Sequence, residues 1–266
     1  MANISAQIVK ELRDKTDAGM MDCKKALVEA EGDMGKAVDL LRKAGIAKAE
    51  KKSGRATKEG KIVSFIDGGT GVMIEALCET DFVATNEKFI EFVNGVAKKA
   101  AALSEDGCVS EQVAEAEKDG LTKLIATIGE NMQLRRAVRW SSNGKCASYL
   151  HMGGRIGVMV DVEGDVEDAV LTDLCMHIAA FKPEYVAPEN IPAEVIAKEK
   201  EIAAGQVEGK PAEIMEKIVT GKISKWYKEV CVNKQPWIRD DKMSVEKANP
   251  GMTIKRFLRW EIGEVL

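Results

Sequence analysis

Apolar positions recur at helical spacing over the first part of the chain. Ile4, Ile8, Val9 and Leu12 form one stripe, and Asp17-Ala18-Gly19 interrupts it. Asp22 is placed to cap a second helix over residues 23–30, with Ala26 and Leu27 inward and Gly32 as its stop. Asp33 is placed to cap a third, with Ala37, Leu40, Leu41 and Ala44 on one face and Gly45 ending it. Three such helices in about 45 residues make a bundle near the lower size limit for a stable fold. Met20 and Met21 fall where the first two helices join. Methionines are soft and adaptable, so they either plug the bundle's own core or present at least one side chain to a partner. Residues 47–60 carry Lys48, Lys51, Lys52, Arg55 and Lys58 with Gly54 and Gly60, and read as a basic linker, a solvated tether before a nucleic-acid arm.

From residue 61 the period changes, and the new pattern occurs twice. Residues 61–66 and 71–74 flank a glycine-rich turn and read as a β-hairpin; residues 145–150 and 157–160 do the same around 151–156. A helix follows each hairpin. The first covers about 86–102 with Phe89, Phe92, Val93, Val96 and Ala100 inward, and the second about 168–181 with Leu171, Leu174, Cys175 and Ile178 inward. Each copy closes on a similar strand, 134–140 and 254–260, with Arg136 matched by Arg256 and Trp140 by Trp260. Residues 110–129 of the first copy read as one further helix. The second copy carries two helices, about 192–204 and 211–232, joined by a short connection that makes them antiparallel. Ile196, Ile202, Ile214, Met215, Ile218 and Trp226 supply an apolar seam. This insertion reads as a protruding coiled-coil arm; the alternative is a helical hairpin packed on the body.

The hairpins align at a shift of 86 residues, Gly71 on Gly157, but the helices align at 82, Phe92 on Leu174. The first copy thus has four extra residues before its helix, and Thr80-Asp81-Phe82-Val83 falls in that gap. The second copy closes without them. An exposed Phe at a loop tip is costly unless a partner covers it, and a neighbouring Asp adds a strong acceptor. The alternative is that Phe82 folds back on its own core while Asp81 caps the next helix.

Composition narrows the function classes. Of 266 residues, 45% are hydrophobic, and 39 basic against 43 acidic side chains leave a net charge of −4. That balance and 5% aromatics argue against a nucleic-acid platform. Cys23, Cys78, Cys108, Cys146, Cys175 and Cys231 are scattered singly, without metal or disulfide spacing, and read as free thiols. Early charges at Lys10, Glu11 and Arg13 and the lack of any long apolar run predict no leader, no membrane span and a cytoplasmic protein. No phosphate-cradling loop or nucleophile–base set stands out, and His177 falls in a helix as a packed or solvent-facing group. No catalytic residue, metal site or cofactor is expected, and the chain reads as a non-enzyme.

Several segments together resemble translation elongation factor Ts: Thr16 to Leu27 (TDAGMMDCKKAL), Thr80-Asp81-Phe82-Val83, Ile128-Gly129-Glu130-Asn131 ahead of Arg135-Arg136, and Arg155-Ile156-Gly157-Val158. They occur in that family's order over nearly the whole chain. The resemblance implies an α+β fold: a UBA-like N-terminal three-helix bundle, then two duplicated ββα…β units with antiparallel sheets, the second carrying an inserted antiparallel coiled-coil hairpin. The corresponding division is 1–46, the linker 47–60, unit one at 61–142, unit two at 143–186 and 236–266, and the hairpin at 187–235.

The implied function is guanine-nucleotide exchange on elongation factor Tu during translation elongation. Thr80, Asp81, Phe82 and Val83 would wedge into that partner and dislocate its Mg²⁺. Met20, Lys24, Ile128, Gly129 and His151 would bind it, and the hairpin would make a homodimer. Met152, in a turn that relatives often fill with glycine, puts the shape around His151 in question. Some relatives continue into a C-terminal helix that also grips the partner; this sequence ends at Leu266, so that contact is expected to be missing. The competing reading is a protein-interaction adaptor that binds without effect on nucleotide release.

Overall fold

A computed structural model describes residues 4–207 and 211–265, with nothing stated for the rest. The chain forms two compact units. The first holds the chain up to Phe65, Val72–Arg139 and the segment from Glu261; the second holds Ile66–Gly71 and Trp140–Trp260.

The first unit opens with α1 (Ala6–Thr16), capped by Ser5 and ended by Asp17 in the left-handed region. The second helix, α2 (Met20–Glu29), starts earlier than expected, with Gly19 at its N-cap. Asp22 therefore does not cap it. It lies in the first turn, where a carboxylate favours the helix dipole, and pairs with Lys48 at 2.7 Å. Asp33 does cap α3 (Met34–Lys52), accepting the Lys36 N–H at 3.0 Å. This helix runs through Gly45, so Lys48, Lys51 and Lys52 are helical and only the stretch beyond them can act as a tether. The reason is packing. A Cβ on Gly45 would stand 3.3 Å from the Ala126 Cβ of α7 (Lys118–Ile128), and the close helix–helix approach outweighs the poor helix propensity of glycine, about 1 kcal/mol. Val9, Leu12, Cys23, Ala26, Leu27, Ala30 and Ala37 make a separate small core.

The sheet of this unit has the order β1-β2-β4-β3: β1 (Glu59–Asp67), β2 (Thr70–Cys78), β4 (Met132–Ser141) and the two-residue β3 (Gly107–Cys108), antiparallel to β4. Between β2 and β3 run a one-turn helix, α4 (Asp81–Ala84), and α5 (Glu87–Ala100). The helix expected over 110–129 is broken into α6 (Ser110–Ala116) and α7, with Glu117 at the break. Lys99 holds the Glu117 carboxylate at 2.9 Å, and Gly120 beyond it lies against the Phe92 ring. Phe89, Val93, Val96 and Ala100 of α5 fill the core with Val72, Ile74 and Val113.

The second unit has a three-stranded sheet, β5 (Lys145–His151), β6 (Ile156–Glu163) and β9 (Thr253–Glu261), in the order β5-β6-β9. β5 and β6 are an antiparallel hairpin with Lys145 opposite Val162 and His151 opposite Ile156. Helix α8 (Asp168–Phe181) buries Leu171, Leu174, Cys175 and Ile178. The insertion forms α9 (Ala193–Gly205) and α10 (Ala212–Val230), which touch each other. Part of the expected seam is open: Ile202 and Ile214 are 46% and 47% exposed, while Ala203 and Ile223 are buried. A small β7–β8 ribbon (Pro236–Trp237, Asp240–Ser244) and α11 (Val245–Ala248) precede β9.

The duplication extends to buried chemistry. Glu75 on β2 is fully buried and receives Arg136 Nε at 2.6 Å; Asp161, its counterpart on β6, receives Arg256 Nε at 2.9 Å. Arg139 and Arg259 each donate through Nε to a carbonyl in α5's C-cap or the last turns of α8, those of Ala101 and Ala179. Gly60 and Gly144 sit where a Cβ would strike the Ala76 and Val162 carbonyl oxygens. None of the six cysteines forms a disulfide, and only Cys108 among them is exposed. Burial pushes the Cys78 and Cys175 thiols up to about 12 and Cys231 to about 11.

Candidate functional site

The surplus segment leaves β2 at Cys78 and makes a tight turn. Thr80 is extended, and its hydroxyl accepts the Val83 N–H at 3.4 Å, which starts α4. At the other end the Thr85 hydroxyl donates to the carbonyls of Asp81 and Phe82, at 3.2 and 3.0 Å. Threonines thus tie both ends of a single helical turn. Successive residues on a helix point about 100° apart, so the turn has two faces. Val83 and Ala84 enter the core of the unit, while Asp81 and Phe82 face solvent, Phe82 at 83% exposure. Phe82 therefore does not fold back on its own core. Asp81 caps nothing either: Thr80 caps α4, and Asn86 caps α5 by accepting the Lys88 N–H at 3.0 Å.

A second segment holds the turn in place. α7 ends at Ile128, and Gly129 turns the chain with a φ of +96°. Glu130 then reaches the start of the turn. Its carboxylate accepts the Glu79 N–H at 3.2 Å, the Thr80 N–H at 3.0 Å and the Thr80 hydroxyl at 2.7 Å. In return the Asn131 N–H donates to Glu79 Oε1 at 2.6 Å. The buried Asn131 amide donates to the Arg55 and Ser53 carbonyls at 2.8 and 3.3 Å, just beyond α3. Three segments far apart in sequence are knotted here. Ile128 and Gly129 are half-buried beside the knot.

Met20, Met21 and Lys24 lie on the exposed side of α2, with Met20 at 43% and Met21 at 63% exposure. Of the two readings for the methionine pair, exposure is the one found. Asp17, in the preceding turn, pairs with Lys88 of α5 at 3.2 Å. The first unit therefore carries Met20, Lys24, the Thr80–Val83 turn, Ile128 and Gly129. His151 belongs to the second unit, at the exposed end of β5, with Nδ1 3.1 Å from the Tyr149 hydroxyl. Met152 beside it takes a left-handed φ of 49°, with Gly153 and Gly154 continuing the turn.

Sequence reasoning missed the work of Glu79, Glu130 and Asn131. Glu130 and Asn131 stand inside the Ile128-Gly129-Glu130-Asn131 segment, but nothing local pairs Glu130 with a residue 50 positions away. Among the described residues, no group of three or more His, Cys, Asp and Glu side chains could hold a metal ion, and no helix is long and apolar enough to cross a membrane.

The first unit thus holds an acidic–aromatic pair outward on a braced turn, with exposed methionines on the same unit. The family model described as elongation factor Ts matches residues 79–264. Elongation factor Ts of Clostridium botulinum (strain Alaska E43 / Type E3) is 47% identical over 98% of this chain and 93% of its own length. Those of Cupriavidus metallidurans and Alkalilimnicola ehrlichii are 46% and 45% identical, over 99% and 98% of this chain and 92% of their own. The chain belongs to the elongation factor Ts family.

Proposed function

We propose that this chain performs guanine-nucleotide exchange on elongation factor Tu in translation elongation, with Asp81 and Phe82 as the lever. The observation that carries this is Phe82, 83% exposed on a turn fixed at both ends, beside buried Val83. An exposed aromatic ring on a rigid mount suits insertion between two elements of a partner. Exchange requires no covalent chemistry in this chain. If it binds the partner better once nucleotide has left, nucleotide affinity falls by the same factor in its presence. A wedge that shifts the partner's Mg²⁺ and phosphate site supplies the required difference in contacts. Thr80 and Val83 shape the wedge. Met20, Lys24, Ile128, Gly129 and, from the second unit, His151 hold the complex.

The test is stopped-flow GDP release from elongation factor Tu with Phe82→Ala and Asp81→Ala. Both are expected to slow release at saturating exchange factor. Unchanged acceleration by both variants sinks the wedge.

The finer architecture belongs to the same proposal: a UBA-like N-terminal bundle and a coiled-coil hairpin over 187–235 that pairs with a second copy. The half-exposed Ile202 and Ile214 support that pairing. Sedimentation velocity checks it, with Ile202→Glu/Ile214→Glu expected to leave only monomer. The same reading puts the protein in the cytoplasm.

A further inference from the structure

We infer that Glu130 is a positioning residue for nucleotide exchange, acting on the partner through Thr80; this rests on the wedge reading above. One carboxylate accepts three hydrogen bonds from the two residues that lead into the turn: the Glu79 N–H, the Thr80 N–H and the Thr80 hydroxyl. The hydroxyl bond matters most. By drawing the Thr80 proton toward Oε1 at 2.7 Å, Glu130 leaves the oxygen's lone pairs for the Val83 N–H, and that bond starts α4. The direction in which Phe82 leaves the surface is therefore fixed by a side chain that is not in the turn. Hydrogen bonds to an ionised acceptor are shorter and stronger than neutral ones, and a buried neighbour keeps this one in register: Asn131 ties the same strand end back to Glu79 and to the chain beyond α3. Lever and N-terminal helices thus share one brace.

The role predicts a split between rate and affinity. GDP release from elongation factor Tu is measured against exchange-factor concentration for the full chain. Glu130→Ala is expected to lower the maximal rate about tenfold, the scale of one charge-assisted hydrogen bond, and to leave the half-saturating concentration within about twofold. Glu130→Gln keeps an acceptor for the two N–H groups but not for the hydroxyl, and should fall between. Thr80→Ser keeps the hydroxyl and should lose less of the maximal rate than Thr80→Ala. In a Thr80→Ala background, Glu130→Ala should cost no more than about twofold further, because residues acting in series are not additive.

Two results overturn the proposal: an unchanged maximal rate in Glu130→Ala, or full additivity with Thr80→Ala. A rise in half-saturating concentration alone would make Glu130 a grip residue and equally refute it. If Glu130→Ala does not fold, Glu130→Gln, alone and in the Thr80→Ala background, still decides. Phe82→Ala in the same series separates the two ideas. If Phe82→Ala leaves the maximal rate intact, the wedge itself is wrong; if it lowers the rate and Glu130→Ala does not, only the positioning role fails.

Discussion

Arg136 meets Glu75 at 2.6 Å inside the first unit, with the carboxylate fully shielded from solvent. Arg135 Nη1 approaches the same carboxylate at 3.3 Å, and the Gly263 N–H donates to it at 3.0 Å. Removing one partner of a buried pair leaves a desolvated charge behind. Glu75→Ala is expected to cost about 3 kcal/mol or more in urea unfolding, and Asp161→Ala, its counterpart, a similar amount. Losses under about 1 kcal/mol would show that both sites are better hydrated than their burial suggests.

Adjacent residues on α4 should separate stability from function. Phe82→Ala removes almost no buried surface, so its unfolding free energy should stay within about 0.5 kcal/mol of the parent. Val83→Ala opens a gap in the core and should cost about 2 kcal/mol. Thermal melts of the two variants give the comparison directly.

His177 supplies a pH-dependent element in the second unit. It is fully buried, stacked on Phe181 and Trp237, with Nε2 2.9 Å from Gln235 Oε1. The Gln235 amide donates to the Phe181 and Glu229 carbonyls, so its oxygen faces the ring and Nε2 carries the proton. Nδ1 has no partner among the described residues. Burial holds the imidazole below its ordinary 6.5, with the Gln235 bond opposing in part. The unfolded chain therefore takes up the proton first. The stability tied to neutral His177 is full above about 6.5 and is lost as pH falls below it, at up to about 1.4 kcal/mol per pH unit. His177→Gln should flatten that slope in urea midpoints taken from about pH 7.5 down to about pH 5.

Gly45 should tolerate one methyl and reject a larger side chain. Gly45→Ala gains helix propensity but presses on Ala126, and is expected to change stability by less than about 1 kcal/mol. Gly45→Leu must push α7 away and should cost about 1–3 kcal/mol, read from denaturant midpoints.

That glycine also shows where sequence reading reached its limit. The hairpins, α5 and α8 were legible because one face of each is apolar with a regular period, and the period decides the element. The surplus before α5 was legible because the duplication supplied its own control: residues 79–86 link β2 to α5, while residues 164–167 suffice between β6 and α8. Gly45 was misread as a stop because its justification, Ala126, lies 81 positions away. The break at Glu117 has the same character, set by Lys99 and Phe92 on another helix. Glu130 is the clearest case. Its identity was visible, but its partners are defined only once α7 and β2 are folded side by side.

The burial of the cysteines turns the native protein into a singly labelled reagent. Five thiols are enclosed, and burial moves three of them far from ionisation at neutral pH, whereas Ser110 hydrogen-bonds the exposed Cys108 and draws its pKa down. A maleimide dye should therefore attach at one position in the folded state and at all six in denaturant. Fluorescence anisotropy of that dye could follow docking and departure of the partner in an unmodified sequence, with Met20, Phe82 and Glu130 left free for substitution.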